Sequence, residues 1–286
     1  MVKPCWTLDH NSVLSGLVTT EDFDKAKTVI LWNDVNPIER GIINLAKSRG
    51  KKNLVYQHGR RGTSKYYPPF NEKIQADKLL VWGESDRNAL LEAGQDGKKI
   101  KVVGATIFSH LKAKTSHQGI NIVFCPEHWD KPVEENIMVR NKLRKLRGIR
   151  IITKIIETHN EKDFDNPIKT HRDNNNHLSE CIRVLTTADL VVGISESTFE
   201  LLAQAMDIPV VIMDEWKPKS FGGDGRYTEY RRIISRASKR TSLKNLNKTI
   251  LQQLANPDEF KEERRQVVIE EGGLGLDTIK LIEKQC

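Results

Sequence analysis

The sequence predicts an α/β protein built as two parallel-sheet halves. Three observations carry this. Short apolar runs of strand type alternate with helical stretches along most of the chain, the pattern of successive βαβ units. The alternation is interrupted once, by a charged and polar stretch from Leu111 to Gln118, and then restarts. The chain has 286 residues, a comfortable length for two domains. The reading is therefore an N-terminal domain over residues 1–114 and a C-terminal domain over residues 115–286 that ends in a helical tail.

Residues 1–27 carry no readable pattern. Thr28-Val29-Ile30-Leu31-Trp32 is the first apolar run of strand type. Asn36-Pro37-Ile38-Glu39 then marks a helix start, with Asn at the cap, Pro at the first helical position and Glu at the third. That helix runs to about Ser48, with Gly50 near its end. Leu54-Val55-Tyr56 is the next strand, followed by a polar, glycine-bearing loop through Pro68 and Pro69. Lys78 to Gly83 is a third strand, Ser85 caps a helix ending at Gly94, and Ile100 to Gly104 is a fourth strand. After the linker come a strand over Ile120–Phe124, a basic amphipathic helix over Glu134–Arg147 and a strand over Ile149–Ile156. A polar loop from Glu157 to Asn176 leads to a helix over His177–Thr187 and a buried strand over Asp189–Gly193. A helix over Thr198–Met206 and a strand over Pro209–Met213 complete the second half, and the tail from Leu243 reads as helices separated at Gly272-Gly273. The two halves show no shared sequence pattern on this reading.

Composition excludes several classes. No apolar run approaches the roughly 20 residues that span a bilayer, and the start Met1-Val2-Lys3-Pro4-Cys5-Trp6 lacks the apolar stretch of a signal peptide, so a cytoplasmic protein is expected. Cys5, Cys125, Cys181 and Cys286 lie too far apart for metal-ligand spacing and read as free thiols in a reducing compartment. The net charge of +8 fits nucleic acid, an anionic membrane surface or a phosphorylated ligand. Acidic residues are interleaved with the basic ones, and neither zinc-finger spacing nor an aromatic RNA-binding strand accompanies them, so nucleic acid is not the expected partner. The phosphate-binding loop of P-loop NTPases, the glycine fingerprint of dinucleotide enzymes and the G-x-S-x-G elbow of α/β-hydrolases are all missing.

The sharpest local feature is Val191-Val192-Gly193-Ile194-Ser195-Glu196-Ser197-Thr198-Phe199-Glu200. An apolar strand ends in glycine, small hydroxyl residues follow, and a helix begins. In open parallel sheets ligands sit just past the carboxyl ends of strands, and a helix N-terminus suits phosphate. Ser197 and Thr198 can add hydroxyl donors for phosphate, Glu200 in the first turn can accept from ribose hydroxyls, and Ser195 and Glu196 join them as donor-binding candidates. The same residues also suit an ordinary helix cap. His58 ends the second strand beside Gly59, Arg60, Arg61 and Gly62, where it suits a general base or a phosphate contact. Lys169, His171 and Arg172 put three diphosphate donors into one loop. Glu157 and His159, and Glu127 and His128, follow strands at the same sheet edge and are candidate cleft residues. His128 with Asp130 gives only two ligands, so no metal is expected.

Taken together, three stretches resemble the GT-B glycosyltransferases that build bacterial surface polysaccharides, in particular the CDP-glycerol, sialyl and Kdo transferase groups, and the related UDP-GlcNAc 2-epimerases. They are Tyr56-Gln57-His58-Gly59 with Ala76–Gly83 and Lys101–Gly104, then Lys169-Thr170-His171-Arg172, then Ala188–Gly193 through Pro209-Val210-Val211. Thr170 and Arg172 stand where that family usually has prolines, and the N-terminal half is short for such a domain. The resemblance implies two Rossmann-like domains with parallel sheets facing a cleft, the first shortened. It implies a nucleotide-sugar as substrate with no further cofactor, and a glycan or lipid-linked acceptor. It also implies peripheral association with the inner membrane face. His171 and the Ser197-Thr198 helix start would hold the donor phosphates, Glu200 its ribose, and His58 would face the cleft as the catalytic residue. A 2-epimerase and a non-catalytic sugar-nucleotide or glycan-binding module are the alternatives on the same fold.

Overall fold

The computed structural model describes residues 5–7, 20–31, 37–57, 73–126, 133–156, 159–170, 177–194, 197–213, 236–273 and 277–286. The chain divides into two compact units, residues 1–106 with 269–286, and residues 107–268.

In the first unit the described strands are β1 (Cys5–Thr7), β2 (Thr28–Leu31), β3 (Lys52–Tyr56), β4 (Lys78–Val81) and β5 (Ile100–Val102). They pair in parallel, in serial order β1-β2-β3-β4-β5. Helix α1 (Thr20–Lys25) links β1 to β2, α2 (Pro37–Ser48) links β2 to β3, and α3 (Glu84–Glu92) links β4 to β5. Crossovers between parallel strands are right-handed. When every crossover steps the same way along the sheet, every crossover helix lands on the same face. The packing shows this directly: Phe23 of α1, Ile43 and Ala46 of α2 and Leu90 of α3 share one core with Val29, Leu31, Val55, Leu79, Val81 and Ile100.

The opposite face presents the alternate residues Ile30, Leu54 and Leu80 and needs another cover. The end of the chain supplies it. Helix α9 (Thr278–Glu283) packs Leu281 and Ile282 on that face, joined by Cys286, and the Thr28 hydroxyl donates to the Cys286 carbonyl at 3.0 Å. Each partly buried aliphatic side chain contributes on the order of 1 kcal/mol. The expected boundary at residue 114, with the tail kept in the second half, therefore gives way to a tail that belongs to the first unit.

In the second unit the strands are β6 (Ile120–Cys125), β7 (Ile149–Ile156), β8 (Pro167–Thr170), β9 (Leu190–Gly193), β10 (Val210–Met213) and β11 (Lys239–Thr241). All pair in parallel, in the order β11-β10-β9-β6-β7-β8. The chain steps outward from β6 to β8, returns to place β9 beside β6, and then steps the other way. This is the strand order of doubly wound nucleotide-binding sheets, with its switch point between the first and fourth strands. Helices α4 (Val133–Leu143) and α7 (Leu246–Ala255) share one face with Ile122, Phe124, Ile151, Ile155 and Val192. Right-handed crossing then puts α5 (His177–Leu185) and α6 (Thr198–Ala205) on the other face. Helix α8 (Lys261–Gly272) carries the chain back to the first unit, and its fully buried Arg264 donates to Asp207 Oδ1 at 2.6 and 3.1 Å.

Several expectations change. Residues 5–7 and 20–25 hold a strand and a helix. The polar loop after Ile156 contains edge strand β8, and β11 precedes the tail. Gly83, extended at φ −136° and ψ 173°, takes the N-cap of α3 in place of Ser85. The halves also share a device. Asn53 pairs with Asp77 through Asn53 N and Nδ2 onto Asp77 Oδ2 at 2.9 and 2.8 Å. Asn121 N donates to Asp189 Oδ2 at 2.9 Å in the same way. Ala76-Asp77 and Ala188-Asp189 thus precede β4 and β9, each clasped by an Asn one residue into the neighbouring strand. Among the described residues no helix is long and apolar enough to cross a membrane.

Gly83 lies against the backbone of α8: a Cβ there would stand 2.0 Å from the Glu270 carbonyl oxygen. Gly83→Ala is expected to cost about 1–3 kcal/mol or more in urea unfolding, because backbone has to shift. Gly41→Ala, inside α2 with nothing within 4 Å, is expected to gain about 0.5–1 kcal/mol.

Candidate functional site at the switch point of the second sheet

Where the winding direction reverses, the strand ends part and leave a crevice. Here that point lies between β6, ending at Cys125, and β9, ending at Gly193, with Cys125 and Gly193 in register. Helix α6 starts beside it. Ser197 is its N-cap, in extended backbone, and the Ser197 hydroxyl oxygen accepts from Phe199 N at 3.2 Å. Glu200 Oε2 accepts from Ser197 N at 2.8 Å and from the Ser197 hydroxyl. Two otherwise orphaned donors are satisfied reciprocally, the capping box that S-T-F-E spacing encodes. Ser197 and Thr198 remain half-buried, at the positive end of the helix dipole.

Glu200 itself is 1% exposed. Burial pushes its carboxyl above the usual range, opposed by the bonds from Ser197 and by the charge of Lys154. The carboxylate expected to meet a ribose is therefore spent on the helix start. Gly193 makes room for it, since a Cβ there would lie 2.5 Å from Glu200 Oε1. Glycine is needed at the strand end for that close approach rather than for any left-handed backbone.

Side chains alternate across a strand, so the residues of β7 that face α5 and α6 are Arg150, Ile152, Lys154 and Ile156. Lys154 sits opposite Ile168 of β8 and one residue beyond the Thr153–Phe124 pair, which places it beside Cys125. Its Nζ lies 5.5 Å over the Phe199 ring, in the first turn of α6. Sequence reasoning missed this residue. The signal was a single cation inside the apolar run Ile151-Ile152-Thr153-Lys154-Ile155-Ile156. Lys169, expected among the phosphate donors, is one position off Thr170 in β8 and so on the other face, 3.4 Å from Glu161 Oε1. His159 closes a turn at the end of β7: its Nδ1 accepts from Ile156 N at 3.2 Å and its ring meets Phe164 edge-on at 5.5 Å. The neighbouring thiol of Cys181 is buried, and burial pushes its pKa up. Cys125, Cys181 and Cys286 are not joined in disulfides.

His58, Gly59, Arg60, Glu127, His128, Glu157, His171, Arg172, Ser195 and Glu196 lie outside the described residues. The residue before His58 is firmly placed. Gln57 is buried, its Nε2 donates to buried Asp86 at 2.8 Å, and its Oε1 accepts from Trp82 N at 3.0 Å. Trp82 Nε1 donates to the Gln57 carbonyl at 2.7 Å. Among the described residues no three His, Cys, Asp or Glu are arranged to hold a metal ion.

Because the Glu200 carboxyl is raised in the folded chain, its contribution is fully present below the ordinary carboxylate range. It is lost as pH rises through the folded-state value. Thermal melts of wild type and Glu200→Gln from acid to neutral pH test this. The advantage of wild type is expected to be greatest in acid and to shrink as pH rises; a difference independent of pH contradicts it.

The sequence matches no protein-family model and no curated protein. Similarity is found in solved structures. UDP-GlcNAc 2-epimerase from Neisseria meningitidis, bound to UDP-GlcNAc, superposes with a TM-score of 0.59 at 11% identity, covering 98% of this chain and 90% of the epimerase. The wall teichoic acid polymerase TagF gives 0.60 at 13% identity, covering 93% and 74%. A glycosyltransferase from Rickettsia africae gives 0.53 at 14% identity, covering 96% and 79%. At these identities the likeness is one of fold, and it bears out the resemblance read from the sequence: this chain has the two-unit, parallel-sheet α/β fold of the GT-B type.

Proposed function

We propose that this protein is a glycosyltransferase that moves a sugar from a nucleotide-sugar to a hydroxyl of a glycan or lipid-linked acceptor. The observation that carries the reading is the start of α6. It sits at the one described reversal of winding, its hydroxyl residues half-buried, on a fold shared with an epimerase that holds UDP-GlcNAc and with a glycosyltransferase from Rickettsia africae. On this reading the donor phosphates sit at the positive end of the α6 dipole, beside the half-buried Ser197 and Thr198 hydroxyls. His171 and Arg172, which follow β8 directly, add charge from the side. Glu200 acts on the ligand through the cap it holds.

The chemistry asked of these groups is modest. An acceptor hydroxyl attacks the anomeric carbon, its proton passes to His58, and the bond from that carbon to the phosphate oxygen breaks. The nucleotide leaves with the electron pair. The helix dipole and hydroxyl donors stabilise the charge that develops on it. The epimerase likeness supports a second reading on the same site, conversion of the sugar nucleotide with no acceptor present.

Calorimetry against UDP, CDP, CMP, GDP and dTDP, with and without their sugars, tests binding. One nucleotide is expected to bind, and Thr198→Ala to weaken it about tenfold, the loss of one hydrogen bond to a charged group. His58→Ala is expected to lower turnover by about a hundredfold with donor affinity retained. Failure of the whole panel to bind overturns the reading. So does a His58→Ala variant that loses affinity but not turnover. Sugar conversion without acceptor selects the epimerase.

A further inference from the structure

Glu200 poses an electrostatic problem for any anion at the start of α6. A carboxylate in the N-terminal turn is favourable to the helix dipole, but this one is 1% exposed and turned back onto Ser197, next to where a phosphate would sit. Unbalanced, a buried negative charge repels that phosphate across a few ångströms of low-dielectric protein. Among the described residues, one cation stands over the side chain next to it in the sequence. Lys154, half-buried on the α5/α6 face of β7, lies over the ring of Phe199, the residue that precedes Glu200. Among the described residues the neighbouring elements offer little else that is charged. Register puts Cys125 of β6 and Gly193 of β9 on this face. Helix α5 supplies Cys181, whose Sγ lies 3.7 Å from His177 Nε2, and Glu180, which with Lys154 acts on that thiol. The Lys154 charge lowers the Glu200 carboxyl against the burial that raises it.

We propose that Lys154 is a positioning residue: its ammonium is the built-in counter-charge of Glu200, holding that carboxylate ionised in the capping box so that the start of α6 accepts an anionic ligand. The inference deepens the donor-site reading, and rests on it only for the ligand.

Two arms test it. In the free protein, the carboxyl carbon of Glu200 is followed by NMR through a pH titration in wild type, Lys154→Met and Lys154→Arg. The midpoint is expected to move up in Lys154→Met and to return in Lys154→Arg; equal midpoints in all three overturn the proposal. Lys154→Gln replaces Lys154→Met if that variant does not fold. In the second arm, affinity for the nucleotide that wild type binds is measured against pH. Lys154→Met is expected to lose at least about tenfold above the Glu200 midpoint and to recover in acid, as like charges appear and vanish. Adding Glu200→Gln should abolish that loss. A loss that is independent of pH, or that persists in the double variant, makes Lys154 a direct phosphate ligand and overturns the positioning role. If wild type binds no nucleotide, the donor-site reading fails, and the titration alone still decides the pairing.

Discussion

The right-handedness of the crossover between parallel strands governs both units. A strand that feeds a helix and returns in parallel packs back onto the sheet with one hand. Each unit obeys the rule, and strand order decides the consequence. In the first unit the strands are laid down in series, so α1, α2 and α3 occupy one face and leave Ile30, Leu54 and Leu80 bare on the other. The end of the chain is drawn back to cover them. In the second unit the order reverses at β6, so helices divide between the faces at the point where ligands bind in sheets of this order. The site and the tail are two results of one constraint.

At the crevice, local chemistry follows from the same placement. Gly193 ends its strand without a side chain, and the carboxylate of Glu200 folds into the space. Ser197 joins the two, and the helix start is fixed before any ligand arrives. A binding site at a helix start depends on such rigidity, because contacts that need no rearrangement keep most of their value. The buried carboxylate is the cost of that rigidity, and Lys154 offsets it.

Much of this was legible in the sequence. Apolar runs bounded by Gly, Pro and polar residues placed β2, β4, β6, β7, β9 and β10 closely, and Pro37 at the first position and Gly50 past the end framed α2. What escaped has physical reasons. β1, β8 and β11 are edge strands of 3–4 residues, too short for a period of two to register. The tail's destination depended on a bare face that strand order alone creates. Lys169 and Lys154 look alike in sequence, and only the parity of the strand sends one to an exposed ion pair and the other beneath α6. Glu200 stood out, but S-T-F-E spacing encodes a cap as readily as a ligand contact. The clasp that the two units share lay in Ala76-Asp77 and Ala188-Asp189, a two-residue signal that only the Asn partners make visible.

The central claim is that the start of α6, at the reversal of the second sheet, holds the nucleotide of an activated sugar. Amide hydrogen exchange with and without saturating nucleotide-sugar tests it most directly. The account predicts slowed exchange concentrated at Ser197 to Leu201 and at the carboxyl ends of β6 and β9, with the amino ends of the same strands unchanged. Protection confined to other parts of the chain, with α6 exchanging as in the free protein, would contradict it.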